Sequence, residues 1–144
     1  RAWRTAWLAT LTYALFMTMC MGVFWLMASK LICIFDPNPE VVDIGEPLLR
    51  VMTYSYPLVA VALILSKAFA GASKTAPPMI SAAIAHLVFQ IPVAAYWSDI
   101  HGPLGAYWAM TAAFALHAAI NSILFWWYFA PSRVRAKRSL GLPI

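Results

Sequence analysis

Acidic residues are scarce in this chain, and its long apolar stretches hold none. Asp and Glu number 5 among 144 residues, against 10 Lys and Arg. Charged residues make up 10% of the chain and hydrophobic ones 63%, with a mean hydropathy of +0.76. A soluble domain carries about 25% charged residues, so this chain lacks the polar surface to cover a water-soluble globule. Cysteine is nearly absent too. Cys20 and Cys33 fall 13 residues apart on one expected helix, a separation of roughly 20 Å that no disulfide bridges. Both are read as buried thiols. No small-residue cleavage site follows the first apolar run, so no signal peptide is apparent. There is no Gly-rich phosphate loop and no nucleophile elbow. His86, His101 and His117 have no Cys or His neighbours that would complete a metal site. These absences exclude a soluble enzyme. The chain begins with Arg1 rather than Met, which reads as a fragment or a processed product.

The charges that are present sit at the ends of four apolar stretches, and their sign alternates. Arg1 and Arg4 precede the first stretch. Asp36, Glu40, Asp43 and Glu46 outnumber Lys30 and Arg50 before the second. Lys67 and Lys74 precede the third, Asp99 the fourth, and Arg133, Arg135, Lys137 and Arg138 follow it. This is the positive-inside pattern of a four-span membrane protein. The net charge of +5 therefore marks topology and a headgroup-facing anchor and excludes a nucleic-acid partner; the partner is the lipid bilayer.

An uncharged helix of about 20 residues crosses a hydrocarbon core of about 30 Å. Uncharged runs of 25, 24 and 33 residues mark the first, third and fourth spans. Only 16 separate Arg50 from Lys67 in the second, which spans if Lys67 snorkels. The expected fold is all-α, polytopic, one bundle over 1–144. Its helices run at about 5–34, 47–71, 77–98 and 104–130, with a basic tail at 131–144. The segment 36–40 stops the first helix and starts a short interfacial one, with Asn38 as N-cap and Pro39 as its first residue. Gly71 ends the second helix, Pro77-Pro78 opens the third, and Gly102-Pro103 turns into the fourth. Pro57 and Pro92 lie inside spans, remove a helical hydrogen bond each, and are hinge candidates. No internal repeat and no second domain is evident.

The informative polar residues lie at membrane depth. His86 and Gln90 are four apart and share one helix face, as do His117 and Asn121 on the next span. In antiparallel neighbours the histidines come to comparable depth. Two uses are open: a polar cluster lining a substrate surface or proton relay, or hydrogen bonds that hold helices together. The lack of an acid inside any span favours the second. Tyr56, just before Pro57, lines a cleft or joins an interfacial tyrosine belt with Tyr54. Met17, Met19, Met21 and Met27 give the first helix an adaptable surface, suited to a promiscuous site or to core filling.

Read as a set, the loops carry a resemblance. Phe35-Asp36 and Pro39-Glu40-Val41-Val42 follow the first span. Gly71-Ala72-Ser73-Lys74-Thr75, then Pro78, bridges the second and third. Ile91-Pro92-Val93-Ala94 lies late in the third, and Gly102, Gly105 and Trp108 open the fourth. Together they resemble the multidrug and toxic compound extrusion (MATE) family, specifically the last four helices of its second six-helix half. The resemblance covers nearly the whole chain. It implies a twelve-helix, two-bundle exporter with cytoplasmic termini in a bacterial inner (plasma) membrane. It also implies alternating access, cationic or aromatic substrates, H⁺ or Na⁺ as the coupling ion, no cofactor, and upstream helices as partners. Tyr56, His86, Gln90, His117 and Asn121 are then candidate lining residues. The chain departs from the family in carrying Ser73 where a second Gly is usual, Ala70 where Arg is frequent, and no carboxylate in 51–70. An acidic ion site, if used, belongs to upstream helices. The related polysaccharide flippases share the plan and remain an alternative, as does a stand-alone four-helix membrane scaffold.

Overall fold

The structure, a computed structural model, describes residues 2–130. The expected tail at 131–144, with Arg133, Arg135, Lys137 and Arg138, lies outside the described residues, as does Arg1. Among the described residues every element is helical. Four columns are long and apolar enough to cross a membrane: Trp3–Leu26, Pro39–Gly71, Ala76–His101 and Pro103–Phe129.

The first column is α1 (Ala2–Leu26), continued by α2 (Ala28–Phe35). Met27 interrupts the regular geometry with φ −103° and ψ 10°. The hydrogen bonds still run through it, from Met27 N–H to Val23 O and from Leu31 N–H to Met27 O. Thr10 and Thr18 donate their hydroxyls to the carbonyls of Ala6 and Ala14, at 2.8 and 2.7 Å. That internal bonding lets two hydroxyls sit on an apolar helix without seeking water.

The second column starts earlier than 47. Asp36 Oδ1 accepts from Asn38 N–H, and Asn38 Oδ1 accepts from Glu40 N–H at 3.1 Å. This cap launches α3 (Pro39–Thr53), which runs through Pro47 in one piece. Among the described residues there is no separate interfacial helix. Pro47 removes only its own bond to the Asp43 carbonyl, at the end of the column where the acidic residues stand. Arg50 pairs with Glu46 at 2.6 Å along α3 and lies over the Trp25 ring of α1, 4.8 Å from its centroid. At Tyr54 the chain tightens, with its N–H bonded to Val51 O, before α4 (Ser55–Gly71) begins. The hydroxyls of Thr53 and Ser55 bond to the carbonyls of Arg50 and Met52 there. The break stands three residues before Pro57, whose ring crowds the preceding turn.

The third column is α5 (Ala76–Ala82), a π-helical stretch (Ala83–Gln90), and α6 (Ile91–His101). The wide turns end just before Pro92, which offers no N–H to the Val88 carbonyl and displaces it. Gly102, at φ +62°, turns the chain into α7 (Pro103–Phe129). Three residues on, Gly105 lies so close to α6 that a Cβ there would collide with the Trp97 carbonyl oxygen. Only a glycine allows that approach.

α4 packs between α1 and α7, and α7 also meets α3, α6 and the π-helical stretch. Leu65, Phe69 and Phe125 are buried at one end, ringed by Trp3, Trp7, Leu124, Tyr128 and Phe129. Trp3 stacks on Phe125 at 5.1 Å, and Phe69 meets Phe125 edge-on at 5.8 Å. The cysteines are not buried as expected. Cys20 is half-buried and Cys33 exposed; on α2 it is Ile32, one residue before Cys33, that turns toward Gly45 of α3.

Candidate functional site

Helix α7 carries two polar side chains one turn apart, and the structure gives them different neighbours. His117 faces the π-helical stretch. Its Nδ1 lies 3.3 Å from Nε2 of His86, and Nδ1 of His86 lies 2.8 Å from Oε1 of Gln90. The amide oxygen of Gln90 can only accept, so Nδ1 of His86 carries a hydrogen. In the neutral ring that leaves Nε2 of His86 as an acceptor, and Nδ1 of His117 as its donor. Nε2 of His117 is then a bare lone pair. It is buried, and no hydrogen-bond partner reaches it. Phe114 meets the His86 ring edge-on at 4.8 Å.

Asn121 lies elsewhere. It is fully buried at the junction of α4, α5 and α7. Its Nδ2 donates to Ser66 Oγ at 2.8 Å and to Ala62 O at 3.1 Å. Ser81 Oγ donates to its Oδ1 at 2.6 Å. Ser66 in turn donates to Ala62 O at 2.7 Å. Both amide hydrogens are used, and a lone pair is engaged. The second lone pair of Oδ1 is uncommitted, but the side chain is fully buried, which closes it to a passing ligand.

Tyr56 belongs to a third place. It meets Phe24 edge-on at 5.9 Å and lines a cavity of about 520 Å³ with Met17, Cys20, Met52, Met110 and Phe114. Tyr54, two residues earlier, stacks on Trp108 of α7 instead. Thus His86, Gln90 and His117 come together, Phe114 links them to the cavity that Tyr56 lines, and Asn121 stands apart. Pro57 follows the Tyr54 break and Pro92 follows the π-helical stretch, so each proline lies next to an irregularity in its column. Ser66 and Ser81 were not foreseen as partners of Asn121, since single serines on alanine-rich helices carry no periodic signal. The cavity wall had one. Met110 and Phe114 are four apart on α7 and share a face, and Met52 and Tyr56 show the same spacing in sequence across the Tyr54 break.

The ends of the columns sort by charge. Trp3, Thr5, Gly71, Ala72 and Phe129 line one cavity, and Lys74 lies over the Tyr128 ring at 5.1 Å. The Arg4, Lys74 and Phe129 ends therefore meet at one end of the bundle. Arg50 and the four acids of 36–46 stand at the other. Among the described residues no three His, Cys, Asp or Glu side chains group as metal ligands.

The family model described as MatE matches residues 1–96, which covers the first two columns and most of the third. No curated protein and no solved structure matches the chain.

Proposed function

The chain belongs to the MatE family of membrane transporters, and we propose that it supplies the last four helices of a secondary multidrug exporter. In this reading two bundles rock about a central cleft, and binding of H⁺ or Na⁺ shifts the population between inward and outward states. The basic ends face the cytoplasm and the acidic ends face outward, in a bacterial plasma membrane. Upstream helices complete the cleft.

The observation that carries the reading is the cavity beside Tyr56. Met17, Met52, Met110, Phe24 and Phe114 surround it with polarisable sulfur and aromatic faces. Such a wall accepts varied aromatic molecules and attracts a cation to its rings without a fixed charge partner. No lysine or arginine lines it among the described residues. A lipid-linked sugar carries pyrophosphate, for which a flippase needs cationic side chains, so the wall favours export of aromatic cations. Pro57 and Pro92 stand where the second and third columns bend during rocking. Tyr56 lines the substrate path, His86, Gln90 and His117 border it through Phe114, and Asn121 holds three helices together beside it.

Ethidium efflux tests this. The intact protein is expressed in cells stripped of their own exporters. Energised cells should expel preloaded dye, and collapse of the H⁺ and Na⁺ gradients should stop them. Tyr56→Ala and Phe114→Ala, at normal expression, should each slow efflux several-fold. Dye retention by cells carrying the unaltered protein would sink the exporter reading, the more so if lipid-linked sugar crossed in its place.

A further inference from the structure

Inside the bundle, His86 and His117 are the two described titratable groups in mutual contact, and their hydrogen bonds run in one direction. His86 donates from Nδ1 to Gln90, His117 donates from Nδ1 to His86, and Nε2 of His117 has nothing to receive or give. A buried lone pair without a partner is costly. His117 is only 9% exposed, so water does not relieve it. We propose that His86, His117 and Gln90 form a single-proton site, loaded at Nε2 of His117.

The proton balance is simple. A proton from solvent adds to the Nε2 lone pair of His117, and no bond other than a solvent O–H breaks. The ring becomes imidazolium. Its Nδ1–H now points a positive charge at the Nε2 lone pair of His86, which strengthens the 3.3 Å hydrogen bond. Passage of that Nδ1 hydrogen to His86 moves the charge across the contact and returns His117 to neutrality. The pair thus carries one proton shared between the π-helical stretch and α7.

A second proton is excluded by the same geometry. It would set two N–H groups head to head across 3.3 Å and hold two positive charges side by side, which like-charge neighbours resist strongly. Among the described residues no acidic side chain is bonded to the pair. Lys67 of α4 and Tyr96, Asp99 and His101 of α6 are exposed. Tyr56 packs on Phe24, and Tyr54 on Trp108. On α3, Arg50 pairs with Glu46, and Glu40 and Asp43 are exposed. On α7 itself, Tyr128 lies under Lys74.

As the carrier of a coupling proton the site rests on the exporter reading. As a proton-binding site it does not. The test is proton uptake by the intact protein in lipid nanodiscs, stepped from pH about 8 to about 4.5, which brackets the ordinary imidazole value of about 6.5. Unaltered protein should take up one proton more than the double variant His86→Gln with His117→Gln. Each single variant should match the unaltered protein, because one ring suffices to hold one proton. A difference of two protons, or of none, would overturn the site. A second readout needs no variant: ¹⁵N-histidine spectra at high pH should show the hydrogen on Nδ1 of both rings. A hydrogen on Nε2 of His117 would overturn the direction of the chain and with it the loading atom. Ethidium efflux is scored separately. Its absence removes the exporter reading and leaves the proton count standing.

Discussion

His117 and Asn121 sit one turn apart on α7, both buried in the bundle, yet one is finished and the other is not. Asn121 is enclosed by α4 and α5, and Ser66, Ser81 and the Ala62 carbonyl engage its amide. His117 meets one partner with one nitrogen and leaves the other bare. A satisfied polar group in an apolar medium acts as an anchor, since any separation of the helices strands several groups at once. An unsatisfied one holds free energy that a ligand releases. In a bilayer the number of open valences on a side chain therefore says more about its role than its depth does.

The sharpest way to break the contrast is at Asn121. Asn121→Leu leaves Ser66 and Ser81 without their interhelical partner and should destabilise the intact protein by about 2–3 kcal/mol, read as a lower midpoint in SDS-induced unfolding. An unchanged midpoint would mean that the junction holds nothing. Ser81→Ala removes one of the arms and should cost about 1 kcal/mol, measured in the same titration. His117→Phe tests the other half. It deletes the bond to His86 but also the bare nitrogen, so the net change should stay below about 1 kcal/mol. A loss as large as that of Asn121→Leu would erase the distinction between the two residues. The smallest change lies outside both junctions and sets the baseline. Ser73 adopts φ +56° after α4, a left-handed conformation that disfavours a side chain, and Ser73→Gly should stabilise by about 0.5 kcal/mol.

Much of this arrangement was legible in the sequence, for physical reasons that can be traced. Charge exclusion from lipid is severe, so the gaps between Arg4 and Lys30 or Lys74 and Asp99 mark columns directly. Spacing of four put His86 beside Gln90, and that pair is bonded. The same spacing placed His117 and Asn121 on one face, but a face can meet two different neighbours along its length, and here it does. Asn38 announced a helix start, and the helix is there. Its extent was misjudged because Asp43, Gly45, Glu46 and Pro47 resemble a loop when read singly. Ser66 and Ser81 gave no warning, since a hydroxyl that bonds to its own helix looks the same in sequence as one that reaches across. The turn after α4 was half legible: Gly71 ends α4, but the left-handed residue is Ser73.

The π-helical stretch Ala83–Gln90 has a consequence for anyone scanning the third column by mutation. Each of its turns closes from i to i+5 rather than i to i+4 and so takes up one residue more. The two α-helical ends of the column are therefore out of phase. A stripe of positions followed at steps of three and four from Met79 keeps to one side only as far as Ala82. Beyond Gln90 the same arithmetic lands on a different side of α6. A periodic pattern of tolerant and intolerant positions will shift across this stretch, and the shift itself would report the wide turns in the protein's own membrane.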